Sequence, residues 1–352
     1  MSKIFFFGRF PAFKEVGGVT TFTFNFANKF KSEGIEVIDF YPAKGKEVPR
    51  GVKAHFILGN RLKRLASIFF FNFFNKGIYF FNFSSIRSLL FLFFLPKRIS
   101  STWVAIFHNG EQSQKYLQSN PFARLIMRTT LRKVDFIGAL SDRQRKFFSR
   151  VGVKNVYRVT PYISSCRKTK CNIKIGNSVG VTRILVSGFP TRIYRILETL
   201  SVFSRLANEG IIFELHVCLY GFDSDGIREE ILRKAAQMDS VHLHSHLSGI
   251  EFNSLLKEMD LYLRMNTVDS FGLVVAEAIE CGVEVVATDV CERHPGVNLV
   301  AVDDFELVYK ELKFYIENKH FSGELLIQKT PEGLVSYEEL VRVVQKHNSL
   351  LY

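Results

Sequence analysis

The residues best suited to chemistry cluster in Asn266–Asp289, NTVDSFGLVVAEAIECGVEVVATD. Asp269 precedes Ser270-Phe271-Gly272, and a second acid, Glu277, stands eight positions after the first. The apolar run after Gly272 predicts a helix over Leu273–Glu280, and Leu261–Arg264 upstream predicts a strand. A helix that begins at the carboxyl end of a strand presents N–H groups with no partner inside the helix, and these carry the positive end of its dipole. Such an end holds anions. Gly272 lets the backbone come close to a phosphate. Glu277, about one turn in, can reach back toward the ligand and take a ribose diol in two hydrogen bonds. Asp269 is expected in the loop, free to meet sugar hydroxyls. The implied chemistry is the capture of a diphosphate with a sugar at either end.

This stretch resembles the donor-binding motif of the family-four retaining glycosyltransferases of the GT-B fold, the group 1 glycosyl transferases. The motif runs from a Glu through S-F-G-L to a Glu-Ala pair and then C-G-x-P-V-V-A-T. Here it reads Asp269, Ser270-Phe271-Gly272-Leu273, Glu277-Ala278 and Cys281-Gly282-Val283-Glu284-Val285-Val286-Ala287-Thr288. Two positions depart from it. Asp269 is one methylene shorter than the family's Glu, and Glu284 stands where the family has Pro. The resemblance implies an α/β protein of GT-B architecture: two Rossmann-like, doubly wound parallel-sheet domains facing a central cleft, with the donor in the C-terminal one. It implies transfer from a nucleotide-diphosphate sugar to a glycan or lipid-linked saccharide acceptor, with retention, in cell-surface polysaccharide or lipopolysaccharide biosynthesis, with no metal or cofactor. Two other readings stay open: a non-catalytic sugar-nucleotide-binding or scaffold subunit, which Asp269 favours, and a GT-B-type sugar-nucleotide epimerase.

The resemblance also assigns roles elsewhere. Gly17 and Gly18 match the glycine pair against the donor phosphates. His108, at the end of a strand, matches a His near the transferred sugar. The family's G-R-x and Lys-Gly segment corresponds to Ile184–Glu198, where Phe189 follows Gly188 and no Lys follows. Arg192 and Arg195 are the cations available there for the diphosphate, and Arg suits phosphate at least as well as Lys. Asp269, His108 and Arg192 are thus the expected catalytic residues. Gly17, Gly18, Arg195, Ser270, Phe271, Gly272, Leu273 and Glu277 are expected to bind the donor. Three alternating histidines, His242, His244 and His246, would share one face of a strand and could bind a metal, but the resembled family needs no metal for catalysis and none is expected.

The elements that must position these residues alternate between strand and helix twice along the chain. In the first half, strands are predicted at Ile4–Phe7, Ile35–Tyr41, Ile78–Phe83, Thr102–His108, Val134–Ala139 and Val156–Thr160. Helices are predicted at Gly18–Ser32, with Phe22, Phe26 and Phe30 on one face, and at Ser84–Leu95. Residues 1–165 form the acceptor-side domain, 166–182 a polar linker, 183–335 the nucleotide-sugar domain, and 336–352 a helical segment suited to packing across the boundary. In the second half, strands are predicted at Arg183–Ser187, Phe213–Leu219, Val241–His244, Leu261–Arg264 and Val283–Ala287.

Of 352 residues, 36 are Phe and one is Trp, and the net charge is +13. No nucleic-acid-binding module accompanies that charge, so nucleic acid is not expected as a partner. A phosphate-bearing substrate or an anionic membrane surface fits better. The Phe-rich stretch Leu62–Leu95 admits two readings: packed core, or a helix lying in a membrane interface with Lys63, Arg64, Lys97 and Arg98 on headgroups. Five cysteines without a C-x-x-C pair point to a reducing compartment. No apolar run is long enough for a signal peptide or a bilayer span. The expectation is a cytoplasmic protein with peripheral contact at the inner face of the membrane.

Overall fold

The computed structural model describes residues 3–12, 18–41, 45–108, 112–163, 180–245, 247–269 and 271–351. Gly17, Ser270, His246 and all but the end of the expected linker lie outside the described residues. The chain divides into two units, Met1–Ser165 with Glu332–Tyr352, and Cys166–Pro331.

The first unit runs β1 (Ile4–Phe7), α1 (Gly18–Lys29), β2 (Glu36–Asp39), β3 (Lys53–Phe56), α2 (Arg61–Phe74), β4 (Ile78–Phe83), α3 (Leu89–Phe93), β5 (Thr102–Phe107), α4 (Gln112–Leu117), α5 (Pro121–Leu131), β6 (Phe136–Ala139), α6 (Asp142–Arg150) and β7 (Asn155–Val159). The second unit holds β8 (Thr182–Gly188), α7 (Ile196–Asn208), β9 (Phe213–Leu219), α8 (Arg228–Ala235), β10 (Val241–Ser245), α9 (Gly249–Leu256), β11 (Leu261–Arg264), α10 (Leu273–Glu280), β12 (Glu284–Thr288), β13 (Asn298–Val300), α11 (Phe305–Asn318) and β14 (Leu326–Ile327). The chain then returns to the first unit as β15 (Leu334–Val335) and α12 (Tyr337–Ser349).

Each unit is one mostly parallel sheet with helices on both faces. The first sheet has the order β15-β7-β6-β5-β4-β1-β2-β3, and the second β10-β9-β8-β11-β12-β13-β14. Only the β13–β14 pair is antiparallel. In both, the winding direction reverses once, between β1 and β4 in the first sheet and between β8 and β11 in the second. At such a reversal the flanking loops diverge and leave a crevice at the carboxyl strand ends, where open α/β sheets bind ligands.

Strands covered on both faces read as unbroken apolar runs, and β1 (IFFF) and β4 (IYFFNF) are buried along their whole length. This accounts for most of the phenylalanine. On one face Phe26 of α1 meets Phe6, Phe30 and Phe80 with ring centroids 4.6, 4.6 and 5.1 Å away. On the other, Phe5, Phe7, Tyr79, Phe81 and Trp103 form a second layer. Helix α12 closes the first face: Tyr337 reaches Phe26 at 5.8 Å and its hydroxyl donates to Thr160 O at 2.8 Å.

Several elements differ from the sequence expectation. Helix α1 stops at Lys29 and tightens into a 3-10 turn at Lys31–Glu33, ended by Gly34 at φ 71°. The single helix expected over Ser84–Leu95 is instead a 3-10 turn at Ile86–Ser88 followed by the short α3. Gln112 holds that turn by accepting from Ile86 N–H at 2.6 Å. The Phe-rich region is split. Phe80, Phe81, Leu89 and Leu92 are core, whereas Phe70, Phe73, Phe74 and Phe94 are exposed. Two of the four cations expected on headgroups turn inward: Arg64 donates to Phe40 O at 2.7 Å, and Lys97 pairs with Asp135 at 2.6 Å.

Replacing Phe26 by Ala removes the ring at the centre of the first layer. It should lower stability by about 3–5 kcal/mol, read as a fall in the urea midpoint at unchanged slope.

Candidate functional site

In the second unit the winding reversal brings together the carboxyl ends of β8 and β11. Strand β8 ends in Gly188, whose missing side chain is filled by Tyr194: a Cβ there would lie 2.2 Å from the Tyr194 ring. A 3-10 turn at Arg192–Tyr194 follows. It is tied to the loop after β11 by Thr267 N–H donating to Ile193 O at 2.9 Å. Strand β11 ends in Arg264, which is buried, with its guanidinium 4.9 Å from the Tyr194 ring centroid. An aromatic wall of Phe189, Tyr194 and Tyr220 thus stands where the resembled family carries its Lys.

Asp269 is not the free loop carboxylate expected from sequence. It is largely buried, and its Oδ2 accepts from Arg264 Nε at 3.0 Å and Arg293 Nη1 at 2.7 Å. Burial alone would push its carboxyl up, but the two guanidinium groups pull harder and hold it below the ordinary value. Arg293 is completely buried; besides Asp269 it donates to Phe271 O at 3.3 Å and, through Nε and Nη2, to Thr288 O at 3.3 and 3.1 Å. One side chain therefore stitches the loop before α10 to the end of β12. Two cations facing one carboxylate leave a formal surplus of one positive charge beside the start of α10.

Gly272 sits directly on this cluster. Its φ of 76° is one that side-chain-bearing residues avoid, and a Cβ would lie 2.7 Å from Arg293 Nη1. Helix α10 follows, and among the described residues no acceptor meets the N–H of Leu273 or Val274. Phe271 is buried and Leu273 half-buried. Glu277 lies one turn into α10, half-buried; its backbone carbonyl accepts from Cys281 N–H at 3.0 Å, and among the described residues no hydrogen bond meets its carboxyl. Burial, and then the Glu280 carboxylate, push its carboxyl up to about 7. An unpartnered, partly protonated carboxyl close to bare amides can both donate to and accept from a ligand's hydroxyls.

The two expected phosphate cations fare differently. Arg192 is exposed, with its backbone N–H donating to Asp225 at 2.7 Å. Arg195 adopts φ 54°, and its guanidinium is taken by Glu198 at 3.0 Å and by Asp303.

The first unit has its own polar cluster at its winding reversal. His108, just past β5, lies 2.5 Å through Nε2 from Asn82 Oδ1, at the end of β4. Asn82 Nδ2 donates to Thr23 Oγ1 at 3.0 Å, so its oxygen faces His108 and Nε2 carries the proton. Burial lowers the His108 pKa to about 3, so the ring is neutral. Gly8, after β1, has Thr23 Oγ1 2.6 Å from where its Cβ would stand. Gly18 opens α1. Sequence reasoning did not single out Arg264, Arg293 or Asn82. Arg293 sits in CERHPG, which carries no local signal, and only the winding order points to Arg264 and Asn82.

Comparison with known proteins gives the class first. The fold is GT-B, shared by the lipopolysaccharide outer core galactosyltransferase WaaB (TM-score 0.61, 14% identity, 90% of this chain and 91% of that one). Anabaena HepE solved with UDP shares it (0.64, 13%, 91% of each), as does sucrose-phosphate synthase from Thermosynechococcus elongatus (0.63, 11%, 90% of each). No curated protein matches the sequence. Residues 182–318 match the family model described as Glycosyl transferases group 1. That stretch is similar to group 1 glycosyl transferases, in a chain of GT-B fold, and the match supports glycosyl transfer as its chemistry.

The Glu277 environment has a consequence for stability. A carboxyl whose folded value is raised from 4.5 to about 7 favours the folded state below 4.5 and loses that advantage as pH rises through about 7. Unliganded protein should therefore lose stability between these values. Glu277→Gln should flatten that loss, seen by comparing urea midpoints at about pH 5 and about pH 8.

Proposed function

We propose that the protein transfers a sugar, with retention, from a nucleotide-diphosphate sugar to a glycan or lipid-linked saccharide in cell-surface polysaccharide biosynthesis. The observation that carries this is Glu277, an unpartnered carboxyl one turn behind two bare amides that rest on a surplus positive charge. The amides of Leu273 and Val274 hold the diphosphate, and Glu277 takes the ribose hydroxyls. As the bond to the sugar breaks, charge grows on the leaving diphosphate. The helix end and the positive cluster are oriented toward it in advance, so little reorganisation is needed. The acceptor attacks on the face the diphosphate leaves, which preserves the anomeric configuration. Arg192, exposed on the turn after β8, closes on the outer phosphate.

Asp269 acts here as a positioning residue: it fixes Arg264 and Arg293 and, through them, the path of Phe271-Gly272. In the first unit the neutral His108, oriented by Asn82, hydrogen-bonds the sugar or acceptor and does not shuttle a proton near neutral pH. Gly17, Gly18 and Ser270 complete the donor contacts in this reading. The donor's nucleotide is uridine in the first instance, supported by Anabaena HepE having been solved with UDP and with UDP and glucose. The reaction belongs on the cytoplasmic side of the membrane.

A second reading is favoured by one observation. The family's phosphate-binding Lys is absent, and Arg195, one of the two cations expected in its place, is spent on two acids. A subunit that binds sugar nucleotides without turning them over would look the same. A thermal-shift screen against a panel of sugar nucleotides, followed by transfer and hydrolysis assays, separates the two. A binder that yields neither free sugar nor product is the scaffold. For the enzyme, Glu277→Ala should weaken donor binding by about tenfold or more, equivalent to ~1.4 kcal/mol. Arg192→Ala should lower turnover more than binding. Unchanged turnover in both variants removes the site assignment.

A further inference from the structure

Helix α2 carries apolar side chains on both sides, more of them outward than inward. Its inward stripe, Arg64, Ile68, Phe71, Asn72 and Asn75, follows helical spacing and supplies everything the fold uses: Ile68 is buried, Phe71 packs on Phe5 at 5.0 Å, and Asn72 and Asn75 cap backbone carbonyls. The opposite stripe, Leu62, Leu65, Phe69, Phe70, Phe73 and Phe74, is exposed, reaching 69% at Phe74 and 77% at Leu62. Phe69 stacks along the helix on Phe73 at 6.4 Å and Phe70 on Phe74 at 6.2 Å. Arg98 donates to Phe73 O at 2.8 Å and so draws the loop carrying Ile99, 95% exposed, to the same helix end. An exposed apolar face this large on a soluble domain marks an interaction surface.

The charge around it selects the partner. Between Glu47 and Asp135 the only acidic residue in the sequence is Glu111, against 14 Lys and Arg. Lys63 on α2 and Lys76 just after it are exposed. A second copy of the chain would bring this patch against itself, positive on positive, because a two-fold interface pairs identical surfaces. An anionic lipid surface meets both demands at once. Phenylalanines enter the headgroup–acyl boundary to a depth of about 5–10 Å, and the flanking cations meet the headgroups. With 14 residues, α2 lies on a bilayer rather than across it, and no helix of the described residues is long and apolar enough to cross one.

We propose that the outer face of α2, with Ile99 beside it, is a docking surface for an anionic phospholipid bilayer. This is independent of the donor site. Co-sedimentation of the full chain with extruded vesicles tests it, using pure phosphatidylcholine and the same lipid with about one third phosphatidylglycerol. The wild type should pellet with the anionic vesicles, stay in solution with the neutral ones, and release at about 0.5 M salt. The double variant Phe70→Ser, Phe74→Ser, which alters only exposed positions, should partition about tenfold more weakly with an unchanged melting temperature. Lys63→Glu with Lys76→Glu should weaken binding to anionic vesicles alone. A wild type that ignores both vesicles overturns the proposal. So does a serine variant that pellets like the wild type, or a dimer in gel filtration that the serine variant dissolves while vesicles are not bound.

Discussion

Two buried guanidinium groups share one carboxylate beneath the start of α10, and the geometry of the candidate site depends on that arrangement. Burying three charges is costly unless nearly every donor finds an acceptor. The second unit meets this condition by spending backbone carbonyls on Arg293: Phe271 O from the motif loop and Thr288 O from the end of β12. Thr288 in turn donates to Asn266 O at 2.5 Å, closing the loop on itself. Asn266, Asp269 and Phe271 are thereby held in place before any ligand arrives. Asp269, one methylene shorter than the Glu of the resembled motif, meets Arg264 and Arg293 within a packed interior, where an extra methylene would need its own space.

The two units apply the same topological device to different chemistry. Each sheet reverses its winding once, and each reversal collects a glycine and polar side chains at carboxyl strand ends. In the second unit these are Gly188, Arg264 and Gly272, around a positive, amide-rich turn. In the first they are Gly8, Asn82 and His108, uncharged, with Asn82 hydrogen-bonded to both His108 and Thr23. The positive, amide-rich turn would favour an anion, and the uncharged cluster hydroxyl groups.

Much of this was legible in the sequence, for physical reasons that differ between elements. Strand β11 and helix α10 occupy the ranges expected, because a strand-length apolar run, a glycine and an amphipathic helix each leave a local signature. Helix α2 left a weaker one: apolar residues on both faces hide which side the fold buries, so the stretch admitted both packed core and a helix in a membrane interface, and its outward face is the part the fold does not need. Arg293 was invisible because its partners lie 5 to 24 residues away in sequence, on a loop and a strand end that only the folded sheet brings together. Arg195 looked available although Glu198 stands three residues on, because its second acid, Asp303, is remote in the chain. The Glu277 assignment came from its place one turn into the helix and from the motif resemblance, but its unpartnered, raised carboxyl is a property of burial that no motif encodes.

The central claim is that the first amides of α10 are the diphosphate contact. Backbone hydrogen exchange with and without UDP tests it most directly. UDP should slow exchange at Leu273 and Val274, with little change in the strands of the second sheet. If UDP binds and protects only amides elsewhere, leaving the start of α10 exchanging as before, the account is contradicted.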